Sequence, residues 1–211
     1  MLRRFVRRLF IQVEDTPNLN ALKFKPGQEV TQHAQDISRS NAQVSPLAEY
    51  LYRIDGVLGV YFGPDFVSIT KEEGSEWPVL KPQIFGTLTE YFQSKQPLYR
   101  DVSELNKDTE ILESDTEIVK MIKTLIADRI RPYIQQDGGD INYVSYENGI
   151  VKVQLQGACK TCSSSVLTLK SGIESMMKHY VPEIKSVEQV LDEADEIIKN
   201  EFEKLDKKLQ N

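Results

Sequence analysis

The chain has 211 residues and a formal net charge of −6, with 40% hydrophobic and 27% charged residues. The hydrophobic fraction is large enough to build a core, which excludes a wholly disordered chain, and no run approaches the ~20 consecutive apolar residues of a membrane-spanning helix. The acidic balance argues against nucleic acid as the main partner, because contacts to phosphates need a basic face.

The first ten residues combine a basic face with an apolar stripe. The segment contains four arginines and no acid. An Arg-rich, acid-poor amphipathic start is typical of a mitochondrial transit peptide, and an ordinary basic surface helix is the alternative. We therefore predict that residues 1–10 form a targeting leader, in which the apolar residues fall at helical spacing: Leu2, Phe5, Val6, Leu9 and Phe10.

Residues 11–100 are predicted to form one small mixed α/β domain. IQVEDTPN and ALKFKPGQ have the composition of short strands, and the polar stretch 28–44 is predicted to be a loop. Ser45 is expected to cap a helix, VLGVYFG and FVSITK to form a hairpin, and a second helix to span 81–94. The stretch holds no catalytic constellation, so we interpret this domain as an interaction or spacer module.

An acidic segment, residues 101–116, precedes a second domain predicted to span 117–191. Six acids against one lysine favour an extended linker. The second domain has the pattern helix, strand, strand, helix, strand: a helix that Pro132 ends or kinks, the hairpin strands INYVSY and IVKVQLQ, a helix over 163–180, and SVEQVL. Residues 192–211 are predicted to form a charged amphipathic helical tail. The predicted fold class is therefore α/β (α+β), with two small domains.

The only two cysteines, Cys159 and Cys162, lie in the loop between a strand and a helix. A helix N-terminus favours the thiolate form, and we expect both thiols to be exposed there. CxxC pairs occur in zinc sites, iron–sulfur sites and thiol oxidoreductases. A thioredoxin-like site is disfavoured, because the chain lacks a Trp before the pair, a Pro within it and a βαβ frame.

Two thiolates per chain are too few for either kind of metal centre. Zinc takes four ligands and an iron–sulfur cluster usually takes four thiolates. His179 is a poor additional ligand, because the helix places it roughly 25 Å from the pair. Two copies that each donate a pair could complete either centre, so spacing alone leaves zinc, a cluster and a merely structural pair open.

The second domain resembles the NifU-like C-terminal domain of Nfu iron–sulfur carrier proteins. The resemblance rests on the DGGD turn of residues 137–140, followed by the hairpin, GACKTCSSS and an amphipathic helix. The upstream segments IQVEDTPNLNALKFKPG, VYFGPDF and WPVLKP resemble the Nfu N-terminal domain, so the resemblance covers residues 11–191. Ser163 stands where the family commonly has Pro after the second cysteine.

The resemblance implies a carrier, not an enzyme, that binds a 4Fe-4S cluster on Cys159 and Cys162 across a homodimer. It implies that upstream assembly factors supply the cluster and that apo-proteins such as lipoyl synthase and respiratory-complex subunits receive it. It also implies a location in the mitochondrial matrix; the charge and the absence of a long apolar run predict neither nucleic-acid binding nor membrane insertion. A zinc-binding or thiol–disulfide redox protein that uses the same CxxC is the alternative.

Overall fold

A computed structural model describes residues 10–101, 108–160 and 163–190, without the side chains of 163–169. The predicted leader helix, apart from Phe10, and the predicted tail from residue 192 lie outside this part of the chain. The described residues form two mixed domains of helices and strands, which confirms the predicted α/β (α+β) fold class. No helix among them combines the length and apolarity needed to cross a membrane.

The N-terminal domain is a five-stranded antiparallel sheet with two helices packed on one face. The strands run in the order β1-β2-β5-β4-β3, and the core lies between the sheet and the helices. A short 3-10 turn spans Arg39–Val44. The elements are β1 (Gln12–Asp15), β2 (Ala21–Lys25), β3 (Gln35–Ile37), α1 (Pro46–Tyr52), β4 (Val57–Phe62), β5 (Val67–Lys71) and α2 (Trp77–Ser94).

Most elements of this domain agree with their sequence patterns. The Ser45 hydroxyl accepts a hydrogen bond from the Ala48 N–H at 3.3 Å, which confirms the predicted cap of α1. Helix α2 begins at Trp77, earlier than predicted, because a proline in the first turn lacks only an N–H that would have no helical partner. The predicted loop over 28–44 is wrong: it contains β3 and the 3-10 turn. Strand β3 is a short polar edge strand that buries only Ile37, so it shows no alternation.

The second domain has a three-stranded sheet in the order β6-β7-β8. Its first helical region is continuous through a π-helical turn, Ile126–Ile130. Strand β7 alternates between half-buried and buried residues, because only one face packs on the core. The elements are α3 (Glu117–Leu125), α4 (Arg131–Gln136), β6 (Gly139–Glu147), β7 (Ile150–Gly157), α5 (Ser163–Tyr180) and β8 (Ser186–Gln189).

The predicted order of helices and strands in this domain is confirmed, with two corrections. Strand β8 pairs with β7 in parallel and α5 connects them, so the expectation that the chain has no βαβ frame is wrong. The residue pattern predicts a strand but not its direction, and the long crossover helix returns the chain parallel to β7. The helical spacing of apolar residues in 163–180 predicts that Tyr180 faces inward, but it is 43% exposed because it is the last residue of α5.

Candidate metal centre

The β6–β7 hairpin brings the DGGD turn and the first cysteine together. The antiparallel ladder ends where Gly139 pairs with Gly157. Beyond that pair, the Ala158 N–H donates a hydrogen bond to the Gly138 carbonyl at 3.2 Å. The two motifs therefore form a single structural unit at one end of the hairpin, although they are well separated in the sequence.

Cys159 is buried at this end of the hairpin. Its exposed fraction is 4%, and it belongs to the hydrophobic core of the second domain. A Cβ atom built on Gly139 would lie 2.5 Å from the Cys159 sulfur. The expectation of an exposed thiol is therefore wrong for Cys159. Cys162 lies outside the described residues.

Two glycines of this unit need backbone conformations that disfavour side chains. Gly138 has φ +83° and Gly157 has φ +61°. Both also lie against the N-terminal domain: a Cβ on Gly157 would be 3.0 Å from the Tyr61 ring, and one on Gly138 would be 2.9 Å from a Thr16 methyl group. The turn is therefore shaped by its own backbone and by the domain that covers it.

A hydrogen bond and an ion pair connect the N-terminal domain to both sides of Cys159. The Asn18 side-chain amide donates to the Ala158 carbonyl at 2.8 Å, and this bond is buried. The Lys160 ammonium group lies 3.7 Å from the Asp36 carboxylate. The residues immediately before and after the cysteine are therefore held by the other domain.

A second pair of contacts connects the N-terminal domain to the DGGD region. Lys23 donates to the Gln136 carbonyl at 2.9 Å, and the Tyr61 hydroxyl donates to the Asp140 carboxylate at 2.8 Å. Burial, with the nearby charge of Asp140, raises the pKa of Tyr61 well above its usual value of 10. The hydroxyl therefore keeps its proton and remains a donor.

Asp140 is also part of a buried ionic network centred on Arg131. The guanidinium group donates to Asp140 at 2.9 Å, to both oxygens of Asp108 at 2.8 and 2.9 Å, and to the Ile141 carbonyl at 2.8 Å. Asp108 in turn accepts a hydrogen bond from the Tyr143 N–H at 2.7 Å. This network fixes the start of β6. The first residue of β6 is Gly139, against which the Cys159 sulfur packs.

The structure thus places one of the two predicted ligands and adds residues that the motif alone did not indicate. In the part of the chain that is described, no group of three or more His, Cys, Asp or Glu side chains could hold a metal ion. Asp140, the last residue of the DGGD motif, accepts a hydrogen bond from Arg131 in the buried ionic network. Sequence reasoning missed the residues that support the loop from a distance: Asn18, Asp36, Tyr61 and Arg131.

Comparisons with known proteins match both domains. Residues 11–95 match the family described as scaffold protein Nfu/NifU N terminal, and residues 122–188 match the NifU-like domain family. Proteins named NFU1 iron-sulfur cluster scaffold homolog, mitochondrial, from Drosophila erecta and Drosophila yakuba are each 49% identical over 207 residues, which is 97% of this chain and 73% of theirs. The solution structure of a NifU-like protein from Saccharomyces cerevisiae covers 48% of this chain and 92% of its own, at 25% identity and a TM-score of 0.43.

Proposed function

The chain belongs to the Nfu family of iron–sulfur cluster scaffold proteins, and we propose that it carries a 4Fe-4S cluster between two copies. Cys159 and Cys162 of each copy would supply the four thiolates that such a cluster usually needs. The observation that carries this proposal is the position of Cys159, packed on Gly139 at the end of the DGGD hairpin and just before α5. The backbone around this thiol is fixed, so it is a preorganised ligand.

Under this proposal the chain delivers the cluster without catalysing a reaction. Each thiol loses its proton when its sulfur binds iron, and delivery exchanges these sulfurs for thiolates of the acceptor. The acceptors would be apo iron–sulfur proteins such as lipoyl synthase and respiratory-complex subunits, and upstream assembly factors would supply the cluster. The Arg131 network and the Gly139 contact hold the ligand loop during both steps.

Metal analysis of protein purified without oxygen tests this proposal. We expect brown protein with about two iron and two sulfide per chain, because four thiolates from two chains hold one four-iron cluster. The matched control is the Cys159→Ser/Cys162→Ser double variant, which should be colourless under the same treatment. Wild-type protein that is colourless and holds zinc, or no metal, would contradict the proposal and favour the zinc-binding or thiol–disulfide alternative.

We also propose that residues 1–10 direct the chain to the mitochondrial matrix. The support is their basic amphipathic pattern and the mitochondrial names of the relatives. A fluorescent fusion of the full chain should reach mitochondria, whereas one without residues 2–10 should stay in the cytosol. Cluster binding by the shortened chain in vitro should be unchanged, because the deleted segment contains no cysteine. Import of the shortened fusion into mitochondria would show that residues 2–10 are not the targeting signal.

A further inference from the structure

The face of the N-terminal sheet opposite α1 and α2 is buried against the second domain. Lys23 pairs in register with Ser68, and Ser68 with Tyr61, so the three side chains form one row across β2, β5 and β4. All three are buried, although neither helix covers this face. We call this row the docking face. Its contacts include Gly138, Gly157 and Asp140 of the second domain.

The docking face and its surroundings contact the residues on both sides of Cys159. Asn18 holds the residue before Cys159 and Asp36 holds the residue after it. The Tyr61 ring lies directly against Gly157, two residues before the cysteine. Between these contacts and the core of its own domain, Cys159 is left almost without solvent contact. Because the N-terminal domain contacts both neighbours of Cys159, it blocks the approach of a second copy to this thiol from that side.

We propose that the N-terminal domain is an intramolecular cap that must leave the cysteine loop before two copies can share a cluster. This inference rests on the proposed function. If two copies share a cluster on these cysteines, the cap and the second copy compete for the same residues. In the capped state Cys159 is protected from solvent and from reagents. In the uncapped state the loop can enter a shared centre, and the observed affinity for a cluster is reduced by the fraction of chains that are capped.

The composition of the interface suits reversible docking. Its described contacts are mostly polar, and polar groups regain water when they separate. The Ser68 hydroxyl, in the middle of the docking face, is buried without a hydrogen-bond partner among the described residues. Burial of an unpartnered hydroxyl weakens the docked state. These features suit a cap that can leave the second domain and return to it.

The rate at which N-ethylmaleimide modifies Cys159 measures opening directly. The background is the full chain with Cys162→Ser, in which Cys159 is the only thiol. Two variants weaken the cap at different contacts: Tyr61→Phe removes the hydroxyl that binds Asp140, and Asp36→Lys places a positive charge opposite Lys160. We expect each to increase the labelling rate about fivefold, the effect of one net hydrogen bond on an equilibrium.

Tyr99→Phe is the matched control. Its hydroxyl donates to the His33 carbonyl at 2.8 Å, and both residues lie in the N-terminal domain. Loss of that bond weakens the domain without touching the docking face, so the labelling rate should stay within about twofold of the parent. Equal rates in the parent and both cap variants would overturn the proposal. So would an equal acceleration by Tyr99→Phe, because opening would then be ordinary unfolding.

Cluster loading separates this inference from the proposed function. In the background with both cysteines, Tyr61→Phe should take up iron and sulfide faster than wild type, and Tyr99→Phe should not. If every chain binds a cluster but the labelling rates are equal, the cap is wrong and the carrier function stands. If no chain binds a cluster, the carrier function is wrong, and faster loading no longer follows. The labelling rates still decide whether the domain covers Cys159.

Discussion

The Cys159 sulfur occupies the space where a Cβ atom of residue 139 would stand. The distance from that Cβ position to the sulfur is 2.5 Å, and to the Gln156 carbonyl oxygen 2.6 Å. Gly139 therefore lacks a side chain for a different reason from its neighbour: Gly138 has a positive φ, whereas Gly139 makes room for the cysteine. The second glycine of the DGGD motif is part of the cysteine site.

Gly139→Ala should disturb both stability and cluster binding. The added methyl group would overlap the sulfur and a carbonyl oxygen, and overpacking of this kind costs about 1–3 kcal/mol of unfolding free energy. The relief of this overlap moves Cys159, so the iron bound per chain should fall as well. Denaturant unfolding and iron analysis of the same preparation test the two effects.

Gly172→Ala is the control for this substitution. Gly172 lies inside α5, and a Cβ there would meet no atom within 4 Å. Alanine in a helix interior is more stable than glycine by about 0.5–1 kcal/mol, so this variant should gain stability and keep its iron. If both variants behave alike, the Gly139 position has no special relation to the cysteine.

The sequence predicted the elements around the site because each has a strong local signal. The β6–β7 hairpin has an alternating pattern and an Asn148–Gly149 turn, whose residues have φ of 55° and 87°. The burial of Cys159 has no local signal. Nor does the hydrogen bond from Asn18 to Ala158, the residue before it, because the two partners are 140 residues apart in the sequence.

The docking face could not be predicted from the sequence either. Lys23 and Ser68 are polar residues that alternate with apolar ones along β2 and β5, the usual pattern of a sheet with one solvated face. The structure buries that face against the second domain instead. Only the pairing of the strands and the approach of a second domain bring these residues to one surface, and neither follows from periodicity within a strand.

Arg131→Met should strongly destabilise the second domain. The substitution keeps an unbranched side chain but leaves the buried carboxylate of Asp140, which is 2% exposed, without its ionic partner. Removal of one member of a buried ion pair costs about 3–5 kcal/mol, because the remaining charge stays buried. Arg131→Lys should recover only part of this loss, since one ammonium group cannot replace three guanidinium nitrogens that bind Asp140, Thr109 and Asp108 separately.

Arg129→Met on the same helical region is the control for the Arg131 substitution. Arg129 is exposed and stacks on the Tyr180 ring at 5.1 Å. An exposed cation–π contact contributes about 0.5–1 kcal/mol, so this change should be small. Thermal unfolding at neutral pH compares the variants. Similar losses at positions 129 and 131 would show that the network contributes no more than a surface contact.

Substitution of Cys159 should lower the stability of the domain as well as cluster binding. Cys159→Ala removes a buried sulfur from the core and should cost about 1 kcal/mol of unfolding free energy. Both Cys159→Ala and Cys162→Ala should abolish stable cluster binding, because each removes two of four thiolates from a shared centre. Circular dichroism melts and iron analysis measure the two properties. Full iron retention by either variant would contradict its role as a ligand.

Glu174 connects α5 to β8 and should give the domain a pH-dependent contribution. Its carboxylate binds the Lys178 ammonium group and accepts the Val187 N–H at 3.1 Å. These bonds, chiefly that to Lys178, hold the pKa of Glu174 below its usual value of 4.5. The stabilisation is therefore complete above the unfolded pKa and is lost as the pH falls through the lower folded pKa.

Glu174→Ala should lower the unfolding free energy at pH 7 by about 1 kcal/mol, the net value of such hydrogen bonds. The difference from wild type should shrink as the pH falls below the usual glutamate pKa of 4.5 and the wild-type carboxylate takes up its proton. Denaturant titrations at several pH values give this difference directly. Glu183→Ala, at an exposed position, should have a small effect at every pH. If the difference in unfolding free energy between wild type and Glu174→Ala persists in acid, the effect comes from packing and not from the charge.

Cluster binding should be linked to dimer formation. Each chain supplies only two thiolates, so one 4Fe-4S cluster with four thiolate ligands requires two chains. Reconstitution without added thiol should therefore approach one cluster per two chains, and light scattering should move from 24.2 kDa to twice that mass. The Cys159→Ser/Cys162→Ser variant should show no such cluster-dependent shift, because it has no thiolates to share. A cluster-loaded monomer would mean that one chain completes the ligand set from its own residues, and the shared centre would be wrong.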